Sequence, residues 1–285
     1  MGRRYDTISF LSDYGLSDEF VGVVKSVIRS IAPDVVVIDL THEIEPHDVR
    51  GGGLTLARSA QYLAPGIVLA VVDPGVGSDR RGVAIEVGEG QSVLIGPDNG
   101  LLAAAVAMVG GADRAVELNN PEYQLPAPGP TFAGRDVFAP AAAHLCTGVD
   151  LAALGDVIDP VTLLPGLLPV TREEDGALVA EVLWIDRFGN AQLNVDPDEV
   201  SAFGDRVRLR FAETKRTAIR AESYAALRTG EVGLVVDSYG LISIAVDRGS
   251  AAEQLGLHAG DPVTLESFEG PVLPLRIVSD AETDQ

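Results

Sequence analysis

Apolar and polar positions follow two rhythms along this chain. In the first half, short apolar runs at Ile8 to Leu11, Val35 to Leu40, Ile67 to Asp73, Val83 to Val87 and Val93 to Ile95 are rich in β-branched residues and bounded by turn residues, which predicts buried strands. From Asp18 to Ala32, Phe20, Val23, Val24, Val27, Ile28 and Ile31 recur at helical spacing until Pro33 ends the pattern, which predicts an amphipathic helix. Further helices are expected at Val49 to Leu63, Leu101 to Val109 and Val137 to Leu145. Strands and helices alternating in this way build a layered α/β domain, here over residues 1–165.

From Pro160 to Asp175 the chain reads PVTLLPGLLPVTREED, and its prolines and acidic run predict an interdomain connection, with residues 166–175 as the linker. Beyond it, Ala177 to Ile185, Arg206 to Phe211, Val232 to Val236, Leu241 to Val246 and Pro262 to Leu265 read as strands with little helix between them. A smaller β domain over 176–285 follows. Ser250, with Glu253 three residues on, signals one short capped helix.

Composition narrows the function classes. Apolar residues make up 46% and charged residues 22% of the 285 positions, as in ordinary soluble globular proteins. Against 42 acidic residues stand 21 basic ones, a net charge of -21 that opposes a nucleic-acid partner and suits a small cationic ligand, although most carboxylates on such a surface simply solvate it. The single cysteine, Cys146, excludes an internal disulfide framework and a cysteine-rich zinc site, and it fits a reducing cytoplasm. No apolar run reaches the roughly 18 residues of a membrane span, and the opening MGRRYDTISF lacks the apolar stretch of a signal peptide, so neither membrane contact nor export is expected.

The common nucleotide signatures are missing: Gly75-Val76-Gly77 lacks a third glycine, and no Gly-Lys-Ser or Gly-Lys-Thr closes a phosphate loop. His42 and His47 with Glu43, Glu45 and Asp48 could be read as metal ligands, but polar strand-exit loops are commonplace and no metal is expected. Cys146 and His144 read as packing residues. Polar residues placed where strands end carry more information, because ligands of α/β sheets gather at those ends. Asp13 in FLSDYG could hold a ribose diol or cap the next helix. Asp73 in VVDPGVGSDRR lies one loop from Arg80, close enough for an ion pair that could be catalytic or merely structural. In IGPDNGLL, Asp98 or Asn99 could cap a helix. WIDRFGN offers a carboxylate, a ring face and an amide in Asp186, Phe188 and Asn190.

In this order FLSDYG, LTHEIEPHDVR, VVDPGVG, IGPDNGLL, FAGRD, WIDRFGN and SYGLISIA resemble the S-adenosylmethionine (SAM) hydroxide adenosyltransferase family, relatives of the fluorinase and chlorinase enzymes. The resemblance spans nearly the whole chain. It implies an N-terminal α/β domain, a C-terminal β-barrel-like domain, and a homotrimer whose sites lie where one subunit's first domain meets its neighbour's second. It also implies SAM as the substrate, without a separate cofactor, and adenosine as the product. On the matching positions, Asp13 would hold the ribose hydroxyls with His47 beside them, and Asp186 the methionine ammonium. Asn190 and the Arg248 backbone would meet the adenine edge, and Phe188 would stack on the purine. Ser238 falls at the methionine carboxylate, where Tyr239 replaces an arginine of the halogenase relatives.

The implied reaction is attack of water or hydroxide on the ribose 5′ carbon, displacing methionine. Water is a poor nucleophile, and a positioned base is worth roughly 10²–10⁴-fold. The family's hydrolases surround that water with an aspartate, an arginine and a histidine, which correspond to Asp73, Arg80 and Ala133. Alanine can neither accept a proton nor form a side-chain hydrogen bond. Ala133 therefore reads as an inactivating replacement, or as the mark of a member with altered chemistry. The alternatives are a halogenase, against which the anionic Asp73 argues, and a non-catalytic SAM sensor.

Overall fold

The structure is a computed structural model that describes residues 5–268; the opening residues 1–4 and the last part of the expected β domain, 269–285, lie outside the described residues. The chain divides into two compact units, 1–168 and 169–285.

The first unit is built on strands β1 (Thr7–Ser12), β2 (Val36–Thr41), β3 (Ile67–Val71), β4 (Gly82–Val87), β5 (Ser92–Pro97), β6 (Arg114–Glu117) and β7 (Asp156–Ile158). They form one mixed sheet in the order β2-β1-β3-β5-β4-β6-β7, in which the first four neighbours run parallel and β4, β6 and β7 pair antiparallel. Helices α1 (Phe20–Ile31), α2 (Val49–Ala60), α3 (Ala103–Met108) and α4 (Ala139–Cys146) cover it.

Side chains alternate across a strand, and the central strands divide their apolar residues accordingly. Ile8, Phe10, Leu69 and Ile95 enter one core with Val24 and Ile28 of α1 and Ala142 of α4. Leu11, Val68, Ala70 and Leu94 enter the other with Leu56 of α2 and Ala105 of α3. Burial on both faces explains why these strands read as continuous apolar runs. Strand β2 departs from that expectation: it is the sheet edge, and Val36 and Ile38 are exposed.

The second unit contains β8 (Arg172–Glu174), β9 (Ala177–Ile185), β10 (Ala191–Leu193), β11 (Arg206–Phe211), β12 (Thr214–Ala221), β13 (Val232–Val236), β14 (Ile242–Val246), α5 (Ala251–Leu255) and β15 (Pro262–Ser267). Seven strands follow one another as β10-β14-β13-β12-β11-β15-β9, and β9 pairs back onto β10, closing a barrel. Closure leaves no free edge in the ring. Its interior is filled by Val182, Leu193, Val207, Leu209, Leu234, Ile244, Val263 and Leu265. Strand β8 lies inside the segment read from sequence as linker, where it forms a hairpin with β9.

Candidate active site

Strand order locates the site in the first unit. The chain leaves β1 through α1 to β2 on one side, then crosses through α2 to β3 on the other side of β1. Such a reversal opens a crevice at the carboxyl ends of the two central strands. Asp13 directly follows β1 and Asp73 lies just beyond β3, so both carboxylates arrive there. A cavity of about 540 Å³ occupies the crevice, lined among others by Asp13, Tyr14, His42, His47, Asp73 and Ala133.

Asp73 is fixed by Arg80, whose Nε donates to Oδ1 at 2.8 Å while a terminal guanidinium nitrogen bonds Oδ2. The two side chains are only 6% and 17% exposed, so the pair is screened far less than a surface ion pair would be. Arg80 in turn stacks on the Phe138 ring at 5.2 Å. Asp13 Oδ2 accepts the backbone N–H of His47 at 2.9 Å, which ties the β1 exit to the loop before α2. His47 has φ 70 and an exposed side chain. His42 is buried beneath that loop, with Nδ1 2.7 Å from Ser12 Oγ and its carbonyl accepting Gly15 N–H at 2.8 Å.

Ala133 enters the cavity at the head of a π-helical turn, Gly134–Phe138, that leads into α4. Wide turns of this kind recur at functional sites because they displace the chain sideways from a helix. Gly134 is needed there for packing: a Cβ would collide with the Tyr14 hydroxyl. Burial first, then the carboxylates of Asp13 and Asp73, raise the Tyr14 hydroxyl above the ordinary phenol range and keep it protonated.

The loop of IGPDNGLL is structural. Arg81 bonds Asp98 Oδ2, and Asp98 Oδ1 accepts Leu164 N–H at 2.9 Å. Asn99 Oδ1 accepts Leu101 N–H, and its amide donates to the Val72 carbonyl, bracing the strand that delivers Asp73.

In the second unit, Asp186, Phe188 and Asn190 share the β9–β10 loop. Asp186 Oδ1 accepts the N–H groups of Phe188 and Asn190 at 2.8 and 2.9 Å, and Oδ2 accepts the Asn190 side-chain amide at 2.8 Å. This clamp presents the Phe188 ring, which is 77% exposed. Ser238 and Tyr239 lie in the β13–β14 turn, which Asp237 organises by accepting Tyr239 N–H and Leu241 N–H on Oδ1 and Gln192 and Ser243 on Oδ2. Arg248 has φ 52 and projects its side chain outward. Ser250 accepts Glu253 N–H at the head of α5, as its motif predicts.

The family description SAM hydroxide adenosyltransferase N-terminal domain matches residues 8–155, and the corresponding C-terminal domain matches residues 180–264. The chain belongs to the SAM hydroxide adenosyltransferase family. It is 42% identical to the (R)-S-adenosyl-L-methionine hydrolase of Salinispora tropica over 254 residues, covering 89% of this chain and 95% of that protein. It is also 42% identical to the hydrolase of the same name from Thermus thermophilus over 266 residues, covering 90% and 98%. A crystal structure of a conserved protein from Thermotoga maritima superimposes with a TM-score of 0.84 at 34% identity, covering 91% of this chain and 99% of that one.

The family fold thus brings Asp13, His47, Asp73 and Ala133 to one cavity, with Arg80 holding Asp73 from behind. Asp186, Phe188 and Asn190 stand on one loop and Ser238 and Tyr239 on another, with Arg248 beyond β14. Sequence reasoning overlooked Tyr14 and Asp237, and it weighed His42 only as a metal ligand, whereas the ring is buried with Nδ1 on Ser12 Oγ. Asp237 had a readable signal, an Asp two residues before Tyr-Gly in a turn. The partner of Tyr14 is Gly134, distant along the chain, and nothing local announces it. Among the described residues, no three His, Cys, Asp or Glu side chains gather as a metal site requires, and no helix is long and apolar enough to cross a membrane.

Proposed function

We propose that this chain hydrolyses S-adenosyl-L-methionine to adenosine and L-methionine. The observation that carries the reading is Asp73: a carboxylate locked by Arg80 on the wall of the cavity that Asp13 also lines, in a chain of this family. The sulfonium is already an activated leaving group, so the reaction needs an oriented oxygen and a proton acceptor rather than a cofactor. Asp73 is the proposed acceptor and Arg80 its positioning partner. Asp13, with His47 beside it, is proposed to hold the ribose diol. Asp186, Phe188, Asn190, Ser238, Tyr239 and Arg248 are proposed as the adenine and methionine contacts, supplied within an assembled homotrimer. The exposed apolar side chains of Val161, Leu164 and Leu167 support such association. A reducing cytoplasm is the proposed location.

A halogenase is disfavoured by the same carboxylate, since Asp73 would repel chloride or fluoride from the place where the nucleophile must stand. Incubation with SAM followed by chromatography should release adenosine and methionine, and no chlorinated nucleoside should form in added chloride. Intact SAM after prolonged incubation would overturn the reading in favour of a SAM-binding sensor. Replacing Ala133 by histidine should raise adenosine formation, and no gain would contradict the role given to that position.

A further inference from the structure

We infer that the Tyr14 hydroxyl is a catalytic group of this hydrolysis, holding the attacking water beside Asp73 where position 133 offers only a methyl. The inference rests on the hydrolase reading above. Tyr14 follows Asp13 at the end of β1 and lines the same cavity as Asp13, Asp73 and Ala133. Its ring is held in a three-ring cluster: Phe20 and Phe132 each lie 5.7 Å from it, Phe132 edge-on, and 5.1 Å from one another. So braced, it reaches across the crevice until its hydroxyl fills the space of a Cβ at Gly134, next to Ala133.

Among the described residues the hydroxyl makes no hydrogen bond; the one that Tyr14 forms uses its backbone N–H, to Ser12 Oγ. A polar group set in an apolar brace and left without a protein partner normally finds one in water or ligand. Burial, and after it the carboxylates of Asp13 and Asp73, keep the phenol protonated, so it is not the base.

The water oxygen bonds to the ribose 5′ carbon as the carbon–sulfur bond breaks, methionine leaves with the electron pair as a neutral thioether, and the released proton passes to Asp73. Tyr14 keeps its own proton and accepts a hydrogen bond from the second hydrogen of the water, so that a lone pair faces the carbon. Fixing that angle is an orientation effect, exerted on the rate rather than on substrate binding.

The test compares the parent protein with Tyr14→Phe, which keeps the ring and its packing. Tyr14→Phe should lower kcat for adenosine formation about 10- to 100-fold while KM and the calorimetric Kd for SAM stay within about twofold. Gly134→Ala, which pushes the hydroxyl off its seat, should show the same split. Variants that turn over within about twofold of an active parent would sink this inference and leave the hydrolase reading standing. Loss seen equally in Kd would overturn it in favour of a binding role, and a parent that releases no adenosine would sink both claims together.

Discussion

Asp73 and Arg80 form a bidentate pair, and neither can be replaced by a shape mimic without changing the charge the pocket presents. Asp73→Asn keeps the volume but removes the proton acceptor, so kcat for adenosine formation should fall by roughly 10²-fold or more, with SAM affinity measured by calorimetry nearly unchanged. Cys146 illustrates the opposite case. It is 5% exposed, and burial, followed by the nearby Asp6, pushes its thiol up to about 12. The thiolate is the reactive form, so iodoacetamide near neutral pH should leave Cys146 unmodified in the native protein and label it fully in denaturant, as read by intact-mass measurement. His144 on α4 meets the Tyr123 ring edge-on at 5.0 Å, and burial lowers its imidazole below the ordinary 6.5. The unfolded chain therefore takes up that proton first on acidification. The stability His144 contributes is present above 6.5 and is lost as the pH falls from there through the folded value. Between about pH 7 and pH 5, the Tm of His144→Gln should drop less than that of the parent.

Helix α2 shows how elements are shaped to deliver these residues. Asp48 caps it by accepting Gly51 N–H at 2.8 Å, directly after the loop that ties His47 to Asp13. Gly52 and Gly53 weaken the helix by roughly 1 kcal/mol each relative to alanine. Their reason is contact: a Cβ on Gly53 would lie 3.1 Å from the Leu101 carbonyl, so the helix packs against the backbone beyond β5. Asp48→Ala should cost about 1 kcal/mol in denaturant unfolding and raise KM through the loosened His47 loop. The elements differ in how far their residues announce them. The strands split between two cores were legible because both faces are apolar, whereas β6, β7, β8 and β10 span three or four residues, too few for any period to show. Strand β12 carries Lys215, Arg216 and Arg220 and lacks the alternation of a half-buried strand, because barrel pairing rather than apolar patterning holds it in place. The carboxylates of the site could be read from strand ends alone; the Tyr14 to Gly134 contact depends on a crossover that no local pattern encodes.

At the scale of the molecule, an acidic surface with a net charge of -21 favours a cationic sulfonium and disfavours halide, which fits the chemistry proposed for the cavity. Sedimentation equilibrium should return three times the 29.8 kDa chain mass, and Leu167→Asp should lower it by charging an exposed apolar stretch. The barrel ring is completed by β10, three residues long, stitched to β9 with a register break and to β14 by two residue pairs. Opening fluctuations of a hydrogen-bonded cylinder concentrate at its shortest stave, so amide exchange should be fastest there among the barrel strands. That stave begins where the Phe188 loop ends, so the proposed purine platform is moored to the narrowest seam of the cylinder.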